Sequence, residues 1–177
     1  MRISTISTLF VLAALAAPVS AQESNREDFN EFCKAIGGRW VGEVTWIVDW
    51  PGIGKKGDKV TCYAELTVVE DGHAMTGRWW GGAGSGTGLC YFDAAAKQIM
   101  WIWVNSGGAV SQGTIAKKGK SSWVESTSGC LPDGTKLTHT STLTFSDDGN
   151  THTYLGGGTA GDKKTDPRHD VWRRAGK

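Results

Sequence analysis

The alternating run from Leu137 to Phe145 places His139 on the same face as Leu137, Leu143 and Phe145, with Thr138, Thr140, Thr142 and Thr144 opposite. An imidazole on an otherwise apolar face needs a partner there; it can ligate, donate a hydrogen bond, or titrate near neutrality. Glu125 shares the face of Trp123 and Thr127 in the segment from Ser121 to Ser128, and a carboxylate beside an imidazole could do acid–base work. Each has a plainer reading. His139 fits a core histidine bonded to a hydroxyl such as Ser141, and Glu125 fits a solvent-facing strand glutamate.

The second resource is aromatic. Nine tryptophans stand in a chain of 177 residues, and an indole offers a flat apolar surface plus one N–H donor. Trp46, Trp79, Trp101, Trp103 and Trp123 are candidates, with Glu125 and His139, to line a pocket for an apolar or aromatic molecule; the competing reading is core filling. Adjacent pairs such as Trp79-Trp80 cannot both face inward, because strand neighbours point oppositely.

Other patterns fall short of chemistry. The Gly81 to Gly88 segment resembles a nucleotide loop only in composition, since no Lys and no helix follow it. Asp147-Asp148 and Asp133 sit in turns, where carboxylates usually accept backbone hydrogen bonds. No nucleophile elbow, His-Glu-x-x-His or phosphate loop is present, so the sequence offers no catalytic residues and no metal site.

Cys33, Cys62, Cys90 and Cys130 contain no Cys-x-x-Cys spacing, which argues against a zinc ribbon or a thioredoxin-like site. Residues 1–21 read as a secretory signal: Arg2, then the apolar stretch Leu9 to Ala17, then the small-x-small site Val19-Ser20-Ala21. Export and an even cysteine count predict two structural disulfides. Cys33 with Cys130 would leave Cys62 for Cys90, although a plain meander inserts one strand between the last two. The 19 basic residues less Arg2 match the 18 acidic ones, so the exported part is formally neutral. That balance, without a basic block, excludes a phosphate-binding surface and hence a nucleic-acid partner. No stretch reaches the ~20 apolar residues that a transmembrane helix needs.

The elements that must carry these side chains are mostly strands. Ser24 to Ile36 predicts the single helix, capped by Ser24 or Asn25 and stopped by Gly37-Gly38, with Phe29, Phe32 and Ile36 on one stripe. From Arg39 the period becomes two. Trp40, Val44, Trp46 and Val48 form one face of a first strand, and Cys62, Ala64, Leu66 and Val68 one face of a second. Asp71-Gly72, Ser106-Gly107-Gly108, Pro132-Asp133-Gly134 and Asp147-Asp148-Gly149 mark turns, giving about ten strands with breaks roughly every ten residues. The segment from Ile99 to Val104 is apolar on both faces and is either covered outside or a partner surface, such as a homodimer contact. The 25 glycines are assigned to turns and bends.

Gly38-x-Trp40-x-Gly42, Tyr91-Phe92-Asp93 before an Ile/Trp strand, Gly-Cys-Leu-Pro-Asp-Gly (129 to 134), Thr-Leu-Thr-Phe-Ser-Asp-Asp-Gly (142 to 149) and Val-Trp-Arg-Arg (171 to 174) together resemble exported bacterial lipocalin-like domains of unknown function. That likeness implies an all-β, antiparallel up-and-down calycin-like barrel of about 8–10 strands over residues 22–177, with one short N-terminal helix, and lends no catalytic residues. A fainter resemblance is to nitrobindin-like haem-binding barrels, which share Gly38-x-Trp40-x-Gly42 and would place a haem-ligating histidine at His169, ahead of Arg173.

The expectation is therefore an exported, periplasmic or secreted barrel that binds a small apolar or aromatic molecule, without evident catalysis and without a cofactor. Three alternatives accompany it: a haem protein using His169 or His139, an interaction module with a filled core, and an enzyme using His139 and Glu125.

Overall fold

The computed structural model describes residues 23–176; the expected signal segment, 1–21, lies outside them. Helix α1 spans Arg26–Ile36, and its cap is Asn25 rather than Ser24. The Asn25 side chain accepts from the Asp28 backbone N–H, and the Asp28 carboxylate accepts from the Asn25 N–H, a reciprocal box that satisfies two otherwise orphaned donors. Ser24 instead docks the chain sideways, its N–H donating to Lys97 O at 2.8 Å. Phe29, Phe32, Cys33 and Ile36 are buried, so the predicted stripe lies on the sheet beneath it.

The strands follow in order: β1 Gly38–Thr45, β2 Lys59–Val69, β3 Ala74–Gly81, β4 Gly84–Asp93, β5 Gln98–Asn105, β6 Val110–Gly119, β7 Ser122–Cys130, β8 Lys136–Phe145, β9 Thr151–Ala160, β10 Lys163–Lys164 and β11 Arg168–Arg174. All pairings are antiparallel. β1 to β9 pair in sequence order except that β9 and β1 meet through β11, which closes the cylinder. The two-residue β10 pairs with the end of β9 on the side that β11 continues. The result is a closed ten-strand up-and-down barrel with one short helix at its N-terminal side, as the alternation and turn spacing implied.

The two ends differ. Helix α1 covers the end formed by the turns after β2, β4, β6 and β8. Lys117 of β6 reaches Glu31 at 2.6 Å and Asp28 at 3.6 Å, and Arg174 of β11 donates to the carbonyls of Ala35 and Gly37 at the helix C-terminus. Those carbonyls lack helical partners, and a cation there also suits the helix dipole. At the opposite end the first strand is shorter than expected. It stops at Thr45, and Trp46 to Asp58 fold over the mouth, with Trp46, Val48 and Ile53 buried. A bridge between Trp50 and Gly54 closes a turn at Pro51-Gly52, where Gly52 has φ +73°.

The expected disulfides are not present: all four cysteines are free thiols. The register excludes both expected pairings. Cys62 lies level with Gly81 and, through it, with Gly84, whereas Cys90 lies level with Met75. Six residues of strand separate the two levels, about 20 Å at ~3.3 Å per residue, far beyond the ~7 Å that a bridge tolerates between Cα atoms. Cys33 sits under the helix end, while Cys130 ends β7 at the mouth and is exposed.

Among the described residues nothing covers the outside of the two-sided strand β5. Ile102 and Val104 are 37% and 49% exposed, next to exposed Leu89 and Val110.

Candidate functional site

Cross-strand partners point to the same side of a sheet, so the register lists what faces the interior. One row runs Leu66, Gly77, Gly88, Trp103, Ser111. Another runs Met75, Cys90, Trp101, Gly113, Thr127, His139. Large rings and glycines alternate in them for a steric reason. A Cβ at Gly88 would lie 2.4 Å from the Trp103 ring, one at Gly77 2.6 Å from it, and one at Gly86 2.3 Å from Trp79 Nε1. The indoles lie flat against the sheet because neighbouring strands present no side chain there. These glycines sit inside strands rather than in turns, so the expectation that all 25 serve turns and bends is corrected.

That arrangement leaves a cavity of about 310 Å³, at the lower end of the range for small-molecule sites. It runs from Ile36 and Trp40 near the helix to Trp50, Asn105 and Ala109 at the mouth. Its aromatic wall is formed by Trp46, Trp79, Trp101 and Trp103, with Trp172 beside them. Trp46, from the mouth loop, packs on Trp79 at 5.9 Å between centroids.

Of the residues expected to line a pocket, Trp46, Trp79, Trp101, Trp103, Glu125 and His139 are all on the cavity wall. Trp123 is not. It is 2% exposed and packs edge-on against Phe32 and Phe145 in the floor beneath, a core role. Trp40 is also structural, its indole donating to Ile36 O at 2.6 Å while the Arg174 guanidinium stacks on it at 4.3 Å.

The opposite wall is polar, and most of it was not anticipated. Arg168, Asp170 and Tyr154 face inward beside Glu125, Thr127 and His139. Arg168 Nε donates to Asp170 Oδ2 at 2.5 Å, its Nη1 stands 3.9 Å from Glu125 Oε2, and its guanidinium lies 4.1 Å from the Tyr154 ring centroid. Thr127 donates to Glu125 Oε1 at 3.4 Å. Alternation could have exposed these residues: Arg168, Asp170, Trp172 and Arg174 share one parity, so an inward Trp172 carries them with it.

Burial governs the protonation of this wall. It raises the Glu125 carboxyl, against the opposing pull of Arg168 and the Thr127 hydrogen bond. It pushes His139 down to about 4, reinforced by the Arg168 charge, and His152, nearer the floor, down to about 3. For Arg168 burial alone would weaken the proton's hold, but Asp170 and Glu125 overcome it and the shift is upward. Near neutral pH both imidazoles are uncharged and the guanidinium is charged.

His139 is held against a neighbouring hydroxyl. Its Nε2 is 2.8 Å from Ser141 Oγ, on the same strand, but Ser141 is 1% exposed. Its Nδ1 has no partner among the described residues, so no carboxylate orients the ring. The haem alternative loses its first ligand: His169 pairs with Leu155 on the outer face and is exposed. His139 faces the cavity, but Ser141 holds its Nε2. Among the described residues no group of three or more His, Cys, Asp or Glu is placed to hold a metal ion, and no helix is long and apolar enough to cross a membrane.

Fold and site together define a closed antiparallel ten-strand barrel with an aromatic-walled cavity inside it. The crystal structure of Rv2717c from M. tuberculosis is similar, with a TM-score of 0.58 and 14% identity over 84% of this chain and 98% of that one. At that identity the likeness speaks for the barrel alone. No protein-family model and no curated protein matches the chain.

Proposed function

We propose that this protein is an exported, non-enzymatic barrel that binds a small, largely apolar or aromatic molecule in its interior. The observation that carries the reading is the cavity of about 310 Å³ walled by Trp46, Trp79, Trp101 and Trp103. A barrel built only to be stable would fill that space, because empty volume forfeits dispersion contacts. The strand glycines that seat Trp103 and Trp79 hold the rings back from the centre, which keeps the volume open. Export rests on residues 1–21 alone, since the free thiols lend it nothing.

The test uses N-phenyl-1-naphthylamine, a neutral probe that brightens in apolar surroundings. The purified protein should enhance its emission, and Ala64→Phe, which projects a ring into the cavity, should abolish the gain with an unchanged circular dichroism spectrum. Ala64→Leu serves if the larger ring prevents folding. A well-folded protein that gives no enhancement would refute the reading. N-terminal sequencing of protein recovered from the host's exported fraction should begin at Gln22.

A further inference from the structure

Two carboxylates on the polar wall of the cavity are short of hydrogen-bond donors. Asp170 is 2% exposed, and its Oδ1, unlike the Oδ2 held by Arg168, has no partner among the described residues. Glu125 is held only loosely, by Thr127 at 3.4 Å and by Arg168 at 3.9 Å. His139 Nδ1, donor or acceptor according to the ring's tautomer, is also unpartnered among the described residues. All three residues line the same cavity. A buried carboxylate oxygen without a donor is costly, and native proteins rarely leave one unless something binds there.

Charge points the same way. One guanidinium faces two carboxylates, while the other titratable groups turned toward Glu125 (His139 on β8, Tyr154 on β9, Cys90 on β4) are neutral at pH 7. The wall therefore sets two carboxyl groups against a single guanidinium. An anionic head group would meet Glu125 and Asp170 on either side of Arg168 and be repelled. Across the cavity the faces of Trp79, Trp101 and Trp103 also favour a cation.

We propose that the cavity selects a small aromatic or apolar molecule carrying an amine-type cationic head, which donates to the carboxylates of Glu125 and Asp170 while its body lies along the tryptophans. This deepens the binding-barrel reading and rests on it. The Trp46, Trp101 and Trp172 N–H groups on the same cavity, also unpartnered among the described residues, leave room for a neutral acceptor elsewhere on the molecule.

Isothermal titration with 4-phenylbutylamine, 4-phenylbutan-1-ol and 4-phenylbutanoate at pH 7 and low salt separates head group from body. The amine should bind at least about tenfold tighter than the alcohol, the low end of what a charge-assisted hydrogen bond contributes, and the carboxylate should bind weakest. Glu125→Gln should collapse the amine-to-alcohol ratio toward one. If that variant does not fold, the wild-type ratio should itself rise with pH across the range in which the protein stays folded, the direction set by the burial-raised Glu125 carboxyl. Alcohol or carboxylate binding as well as the amine overturns the head-group selection, and so does binding of N-phenyl-1-naphthylamine with no amine binding; both leave the cavity reading standing. Absence of binding by every probe overturns the cavity reading as well.

Discussion

Acid should unfold this barrel through two imidazoles that the fold keeps neutral. His152 is 3% exposed, set between Trp40 at 4.3 Å and Trp172 at 6.0 Å, and burial, aided by the charges of Arg168 and Arg174, holds it down to about 3 from an ordinary 6.5. A lowered histidine means that the unfolded chain binds a proton the folded one refuses. Its penalty is absent above pH 6.5 and grows as pH falls toward the folded value, by about 1.36 kcal/mol per unit. At pH 4.5, two units below the ordinary value, His152 costs about 3 kcal/mol. His139, down to about 4, costs nearly as much, for a total of roughly 5 kcal/mol. Glu125 acts oppositely: its raised folded value is a penalty at neutrality that is relieved as pH falls through it. The Glu125 relief makes the net loss between pH 7 and pH 4.5 smaller than that sum, against a typical total stability of about 5–15 kcal/mol. Urea unfolding followed by tryptophan fluorescence at half-unit intervals measures it. His152→Gln lowers stability at every pH but should remove close to one proton from the slope between pH 4 and pH 6. An unchanged slope in that variant would refute the reasoning.

Three further outcomes follow from particular contacts. Gly88→Ala puts a Cβ 2.4 Å from the Trp103 ring and 2.7 Å from Ile102 O, which should cost about 1–3 kcal/mol and weaken probe binding; an unaltered urea midpoint would count against the ring-seating account. Asn25→Ala removes the 2.9 Å acceptor for the Asp28 N–H, worth about 1 kcal/mol, and should lower the midpoint without changing probe affinity. A thiol reagent should modify exposed Cys130 in the native protein and reach buried Cys33, Cys62 and Cys90 only on unfolding. Cys33 and Cys62 are each pushed up to about 11 by burial, which makes them poor nucleophiles even when reached; simultaneous native labelling of all four would refute that packing.

Strand parity made most of the fold legible. Leu137, His139, Leu143 and Phe145 share a face in the structure as they do in the alternation, and the Phe29, Phe32, Ile36 stripe lies on the barrel. What alternation cannot convey is which side of the cylinder a strand stands on, or how deep along its axis a residue lies. Cys62 and Cys90 are both inward, yet the accumulated register sets them on different levels. Trp46 and Val48 continue the parity of β1 but leave the sheet, because the turn at Pro51-Gly52 draws them over the mouth. Residue type gives no sign that Arg168 and Asp170 face inward, because charged strand residues usually lie in solvent. Their burial depends on partners more than 40 residues away in sequence in the case of Glu125.

The same steric device builds both walls. On the aromatic side, Gly77 and Gly88 leave the volume in which Trp103 lies. On the polar side, one hydrogen-bonded row runs Phe92, Ile99, Ile115, Glu125, Ser141, Gly156, Arg168. Its first members are bulky and apolar and pack against the helix end. Its last members place two small residues, Ser141 and Gly156, between Glu125 and Arg168. Two long charged side chains three strands apart can then lean toward each other over those small residues and come within 3.9 Å. The next row repeats the logic, with Tyr154 adjacent to Asp170, so that Arg168 bonds the carboxylate of one and stacks on the ring of the other. A guanidinium so committed can neutralise only part of the charge beside it. The residual demand for a donor falls on Asp170 Oδ1 and Glu125, which both face the cavity, and it is this geometry, rather than the presence of charged residues alone, that makes a cationic head the ligand feature to test first.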